Sequence, residues 1–176
     1  MHKVLLLDFA GVIALPILFV IYTSNAFAAD WRHFERMATT TIDAIKNGDP
    51  KDIDELIILQ ERLIDLGVEA CRNYARQHPE DAEMFELAVN NAESMKLLSL
   101  KEIKNQWHAK RFLLGHGIAV DKLHQNSLTG SLLDTIVHPA TAYIALREYR
   151  HTKDSSLLRQ VDTELSEAIF QLTYLH

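Results

Sequence analysis

The chain has 176 residues and carries 18 Lys and Arg against 24 Asp and Glu, so its net charge at pH 7 is −6. Phosphate binding depends on clustered Lys and Arg, so an acidic chain with dispersed charges argues against nucleic acid or an anionic membrane as a partner. Cys71 is the only cysteine, which excludes an intramolecular disulfide, a CxxCH haem attachment and any cysteine-based zinc finger.

The N-terminal region differs in composition from the rest of the chain. Residues 4–22 form a long apolar run, and Ala26-Phe27-Ala28 has the small-x-small pattern that signal peptidase cuts. Pro16 would disturb a continuous helix in this run, which favours a signal peptide over a stable anchor. We therefore expect residues 1–28 to be a bacterial signal peptide and residues 29–176 to be a single periplasmic or secreted domain.

The alternative for this region is an uncleaved N-terminal anchor. The apolar run 4–22 is close to the roughly 20 residues that span a bilayer as a helix. Asp8 inside the run is costly for either interpretation, since a carboxylate at membrane depth is disfavoured. Both interpretations place residues 29–176 outside the cytoplasm, and membrane contact is expected only if the anchor is kept.

The remaining chain shows helical periodicity, and no segment alternates as a β-strand would. Gly48 is expected to end the first helix, and Asp49-Pro50 to start the second as its N-cap and first residue. Cys71 falls on the apolar stripe of the second helix, which indicates a buried residue and not a reactive thiol. The apolar stripe of the first helix consists of Trp31, Phe34, Met37, Ala38, Ile42 and Ile45.

Shorter segments follow the second helix. The sequence His78-Pro79-Glu80-Asp81 is expected to separate the second helix from the third. Ser99 and Glu102 fit a capping box, which predicts a fourth helix from about Leu100 to about Leu114. Residues 115–130 contain three glycines and little apolar periodicity, so they are expected to form one long loop.

Two more helices complete the chain. The fifth is predicted from about Leu132 to His151, with Pro139 as a kink inside it. The sixth is expected to begin after a cap at Asp154 or Ser155. The predicted fold is therefore all-α, an antiparallel helical bundle of four main helices with shorter helical pieces attached.

Four of the nine histidines lie within one short part of the chain, residues 107–139. The predicted loop joins the helices that carry the first and the last of them, so folding could bring them together. Asp134 lies four residues before one of these histidines and therefore on the same helix face. Imidazole and carboxylate ligands suit zinc or copper, and non-covalent haem held by one or two histidines also fits. The candidate ligands are His108, His116, His124, Asp134 and His138.

These residues also have structural interpretations. Ser131 and Asp134 fit a capping box, in which Asp134 only secures the start of the fifth helix. The proline after His138 leaves the carbonyl of Thr135 without its usual partner, so His138 could satisfy that defect through a water molecule. The other histidines could be ordinary loop or core-edge residues. No spacing matches a specific metal motif such as HExxH.

No motif identifies an enzyme. The chain has neither a GxSxG elbow nor a GxxxxGK[ST] phosphate loop. Asp134 and His138 could supply two members of a catalytic triad, but no third member is apparent. The sequence therefore favours an exported bundle that binds a protein or small ligand of the cell envelope. A metal- or haem-binding periplasmic protein is the first alternative, and a hydrolase-like enzyme using Asp134 and His138 is the second.

Overall fold

The computed structural model describes residues 17–46, 50, 52–119 and 127–175, with side chains for all of these except 17–30 and 127. All regular secondary structure within these ranges is helical, so the all-α prediction is confirmed. The predicted signal-peptide cut after Ala28 falls within the first helix. None of the helices in the described part of the chain combines the length and the apolar character needed to cross a membrane.

Four long helices form the bundle and follow the predicted order. They are α1 (Ile17–Lys46), α2 (Ile53–Gln77), α6 (Ser127–Thr152) and α7 (Ser155–Leu172). Between α2 and α6 the chain forms α3 (Ala82–Met95), α4 (Leu100–Ile103), a single π turn (Lys104–His108) and α5 (Arg111–Gly115). Helix α6 packs against α2, α3 and α7, and α1 packs against α2 and α7.

Helix α6 is the centre of the molecule. Every residue from Thr129 to Ala142 is buried except Asp134, which is half-buried. A helix that is enclosed by neighbours on all sides needs apolar or satisfied polar groups on all of its faces. The polar residues of α6 are therefore held in the interior and must find partners on the surrounding helices.

Helices α2 and α6 approach each other most closely at Gly67. A Cβ atom at this position would lie 2.6 Å from the carbonyl oxygen of Thr135 and 2.8 Å from its Oγ1. Pro139 has no N–H group, so that carbonyl lacks its usual helical partner. The bare backbone of Gly67 fits against it, and no larger residue has room there.

Two helices begin at residues other than those predicted. Asp52 and not Asp49 caps α2, because its side chain accepts a hydrogen bond from the amide of Glu55 at 3.0 Å. Pro50 therefore precedes the helix instead of opening it. Helix α6 begins at Ser127 and not near Leu132, so residues 127–130 at the end of the predicted loop are helical. Burial against the neighbouring helices overrides the weak helix propensity of this segment.

The segment after α3 confirms the predicted cap but not the predicted continuous helix. Ser99 and Glu102 form the capping box, in which the amide of Ser99 donates to Oε2 of Glu102 at 2.8 Å. The helix then widens into the π turn, where the amide of Ala109 donates to the carbonyl of Lys104 at 3.0 Å. Lys110 has a left-handed backbone with φ of 57° and separates this turn from α5.

Candidate metal centre

Three side chains from three different elements converge at one point in the interior. His108 ends the π turn, His138 lies in α6 and Glu164 lies in α7, and one ligand atom of each lies within 4.8 Å of the other two. Nδ1 of His138 is 2.6 Å from Oε2 of Glu164, and Nε2 of His108 is 3.6 Å from the same oxygen. The donor atoms around a tetrahedral zinc ion are about 3.4 Å apart. The three side chains are therefore already near the spacing that a single ion requires.

Glu164 is buried, and each of its oxygens has a partner. Gln160, one turn earlier in α7, donates its side-chain amide to Oε1. His138 occupies Oε2, which is also the oxygen nearer to His108. A buried carboxylate is costly unless it is paired or hydrogen-bonded, so this arrangement satisfies the charge and directs one oxygen at the histidines.

Neighbouring hydroxyl and carbonyl groups orient the ring of His108. Oγ1 of Thr141 donates to the carbonyl of Val137 at 2.9 Å and accepts from Nε2 of His108 at 2.8 Å. The ring of His108 lies edge-on to that of His138, with centroids 5.1 Å apart. A metal ion at Nε2 of His108 would require the proton on that nitrogen to move to Nδ1, so that the imidazole binds in its neutral form.

The two histidines differ in their affinity for protons. Burial lowers the pKa of His108, and the charge of Glu164 offsets only part of this effect. Burial also acts to lower the pKa of His138, but the hydrogen bond with Glu164 and the charges of Asp134, Glu164 and Glu167 outweigh it, so that its pKa is raised. His108 thus offers a neutral imidazole, whereas a metal ion at Nδ1 of His138 must displace a proton.

The structure brings together two of the five predicted ligands, His108 and His138. His116 does not join them, because it is exposed and its Nδ1 contacts the carbonyl of Phe112 at 2.8 Å. His124 lies outside the described residues. Asp134 is near His138 but is not part of the group of converging donors. Burial raises the pKa of Asp134.

The capping interpretation of Asp134 is wrong. Because α6 begins at Ser127, both Ser131 and Asp134 lie inside the helix and not at its start. Oγ of Ser131 instead donates to Oε1 of Gln171 in α7 at 2.8 Å. The imidazole of His138 likewise reaches across to α7, where it binds Glu164.

These two contacts define the register of α6 against α7. Ser131 pairs with Gln171, and seven residues further along α6 His138 pairs with Glu164, seven residues earlier in α7. Helices that run in opposite directions with equal steps are antiparallel, and the same register sets Asp134 opposite Ala168. Two polar pairs, seven residues apart, therefore lie in the interface of these two helices.

Glu164 is the member of the converging group that sequence reasoning missed. It lies between Val161 and Ala168 on the apolar stripe of the last helix, at spacings of three and four residues. A charged residue at such a position is seldom buried without a partner. The position of Glu164 on this apolar stripe was therefore the sequence feature that could have indicated a buried polar site.

Comparison with known proteins gives no relative, since no protein-family model, no curated protein and no solved structure matches the chain. Its function must be inferred from the geometry of the site.

Proposed function

We propose that this protein is an exported helical bundle that binds one divalent transition-metal ion. His108, His138 and Glu164 are the ligands. The observation that supports the proposal is the convergence of their donor atoms within 4.8 Å, from three separate elements. Bundle cores build metal sites from carboxylate and imidazole groups on facing helices in this way.

The donor set favours certain metals. Two imidazoles and one carboxylate suit Zn²⁺, Co²⁺, Ni²⁺, Cu²⁺ or Fe²⁺, whereas Mg²⁺ and Ca²⁺ prefer sites made of oxygen ligands. Gln160 occupies Oε1 of Glu164, so the carboxylate offers a single oxygen to the ion. Three protein donors leave one tetrahedral position for water or another small ligand.

Haem fits this geometry less well than a metal ion does. Nδ1 of His138 is already in hydrogen-bonding contact with Glu164, and the ring of His108 lies close beside it. A porphyrin would have to separate these side chains inside the bundle, whereas an ion needs only to replace protons. We therefore place the ion ahead of the haem alternative.

Calorimetric titration of metal-free protein, purified without a polyhistidine tag, tests the proposal. We expect about one Zn²⁺ per chain. Glu164→Gln keeps the size of the side chain and removes the charged ligand. Loss of an outer-shell partner already lowers metal affinity by about 10- to 100-fold, so loss of this direct ligand should lower the zinc affinity by at least as much.

Glu93→Gln is the control. Glu93 lies on α3, which contributes none of the three converging side chains, and its side chain is 80% exposed, against 7% for Glu164. Its replacement should leave the affinity within about threefold of the original, since an exposed charge contributes little. Equal zinc affinity in the original protein and in Glu164→Gln would refute the proposal.

A further inference from the structure

The π turn determines which way His108 faces. Ile103, immediately before the turn, is fully buried, and Trp107 and His108 at its end also lie on the inner side. In an α-helix, a residue five positions after Ile103 would be turned roughly 140° away from it. A π turn takes one more residue to close, so the fifth residue returns to nearly the same face. Only the π register therefore presents His108 to the other two ligands.

Side chains at the end of the turn hold it in place, since Trp107 is buried and stacks on Phe112 with ring centroids 4.7 Å apart. Both a π turn and a left-handed non-glycine residue are unfavourable conformations that surrounding contacts must stabilise. Lys110 supplies the left-handed residue, with φ of 57°. Beyond the backbone, His108 ties the turn to α6 through Thr141 and to α7 through Glu164. The side chain of His108 is 24% exposed, against 6% for His138, so it is the ligand nearest to the surface.

We infer that the register of residues 104–108 is a switch for the third ligand of the site. In the π register His108 faces the metal, in the α register it turns away, and coordination selects the π register. The inference rests on the proposed metal-binding function, because it requires an ion that pulls His108 inward. It extends that function because the backbone conformation of this turn, in which Lys104 and Asn105 are exposed, would then depend on whether the site is occupied.

Hydrogen exchange of the full chain, with and without saturating Zn²⁺, tests the switch. We expect peptides that cover residues 100–115 to exchange about tenfold more slowly with zinc bound, because opening then requires loss of a metal bond. Peptides from α3 (82–95), which does not contribute a ligand, report the general stabilisation by zinc, and exchange in residues 100–115 should slow by more than exchange in α3 does. Unchanged exchange in residues 100–115, at a zinc concentration that calorimetry shows to be saturating, would overturn the inference while leaving the proposed function intact. Absence of zinc binding in the calorimeter would instead remove the proposed function itself.

Deletion of Asn105 gives a second and independent test. Asn105 is exposed. After its removal His108 follows Ile103 by four positions instead of five, so an ordinary α-helical turn places these two residues on one face. We expect this variant to bind zinc at least as tightly as the original and to show a smaller zinc-dependent change in exchange. A folded deletion variant that has lost zinc binding by tenfold or more would contradict the register argument.

Discussion

Among single residues, the acidic groups beside His138 differ in what they contribute. Glu164 has a partner for each oxygen, and its charge is directed at the two histidines. Asp134 is also largely withdrawn from water, but it does not join the converging donors. A charge that is buried without strong compensation destabilises the folded state. The two carboxylates are therefore expected to respond in opposite ways when they are neutralised.

Asp134→Asn should stabilise the metal-free protein at neutral pH. Burial raises the pKa of Asp134 in the folded protein above its pKa in the unfolded chain. The contribution of this carboxyl group to stability is therefore most favourable below the unfolded pKa, and it is lost as the pH rises through the folded pKa. At pH 7 the ionised group therefore costs stability, which the amide restores. We expect a gain of about 1 kcal/mol, or roughly 2–4 °C in Tm.

Thermal unfolding at several pH values checks this expectation. The gain should shrink as the pH falls toward about 3.9, where the unfolded aspartate also becomes protonated. A lower Tm for Asp134→Asn at pH 7, or a gain that grows in acid, would show that the carboxylate is stabilising where it lies.

The candidate site could be predicted only in part. His108 and His138 were identified because they lie in one histidine-rich segment whose ends could meet. His116 belongs to the same segment but sits on the outside of α5 and faces away from the bundle. Glu164 could not be assigned to the site because its contact with His138 depends on the register of α6 against α7, which no local pattern contains.

At the level of the helices, strong local signals gave correct predictions and competing signals did not. The capping box of Ser99 was placed correctly, and Asp154 is the one of the two caps predicted for the last helix that the structure shows, because a side chain bonds a nearby backbone amide in each case. Asp49 was predicted as the cap of α2, but the bond from the amide of Glu55 to Asp52 places the cap three residues later. The π turn has no local signature in this sequence, since it arises from tertiary contacts made by its side chains.

Gly67→Ala tests the close approach of α2 to α6. The added Cβ would meet the backbone carbonyl of Thr135 at 2.6 Å, and a buried backbone in two packed helices cannot move aside freely. Overpacking of this kind costs about 1–3 kcal/mol, which outweighs the better helix propensity of alanine. We expect a clear fall in the denaturant midpoint.

Gly115→Ala is the matched control for that substitution. A Cβ atom at Gly115 has nothing within 4 Å, so this variant should be as stable as the original protein or slightly more so. Equal midpoints for Gly67→Ala and Gly115→Ala would mean that the two helices do not approach as closely as described.

For the molecule as a whole, the proposed metal site and the core share one helix. His138 lies in the middle of α6, the helix that the rest of the bundle surrounds. Any ion bound only by the folded state must therefore stabilise the whole bundle by mass action. Binding of the ion should therefore raise the free energy of unfolding of the whole bundle, and this increase should report the metal affinity.

Cys71 provides a reporter for this coupling. It is fully buried between α2 and α6, its thiol contacts the carbonyl of Leu132, and burial raises its pKa. Because only a thiolate reacts readily, labelling by a thiol reagent should require global opening. At a zinc concentration 100 times the Kd, labelling should slow by about 100-fold. Glu164→Gln at the same zinc concentration should show much less slowing, and a labelling rate that saturating zinc leaves unchanged would contradict the coupling.

The central claim is that a single ion binds among His108, His138 and Glu164. The most direct measurement is anomalous diffraction at the zinc or cobalt absorption edge from crystals grown with that metal. We expect one strong peak at about 2.0–2.2 Å from Nε2 of His108, Nδ1 of His138 and Oε2 of Glu164. A metal-saturated crystal whose peaks all lie elsewhere, with Nδ1 of His138 still bonded to Glu164, would contradict it.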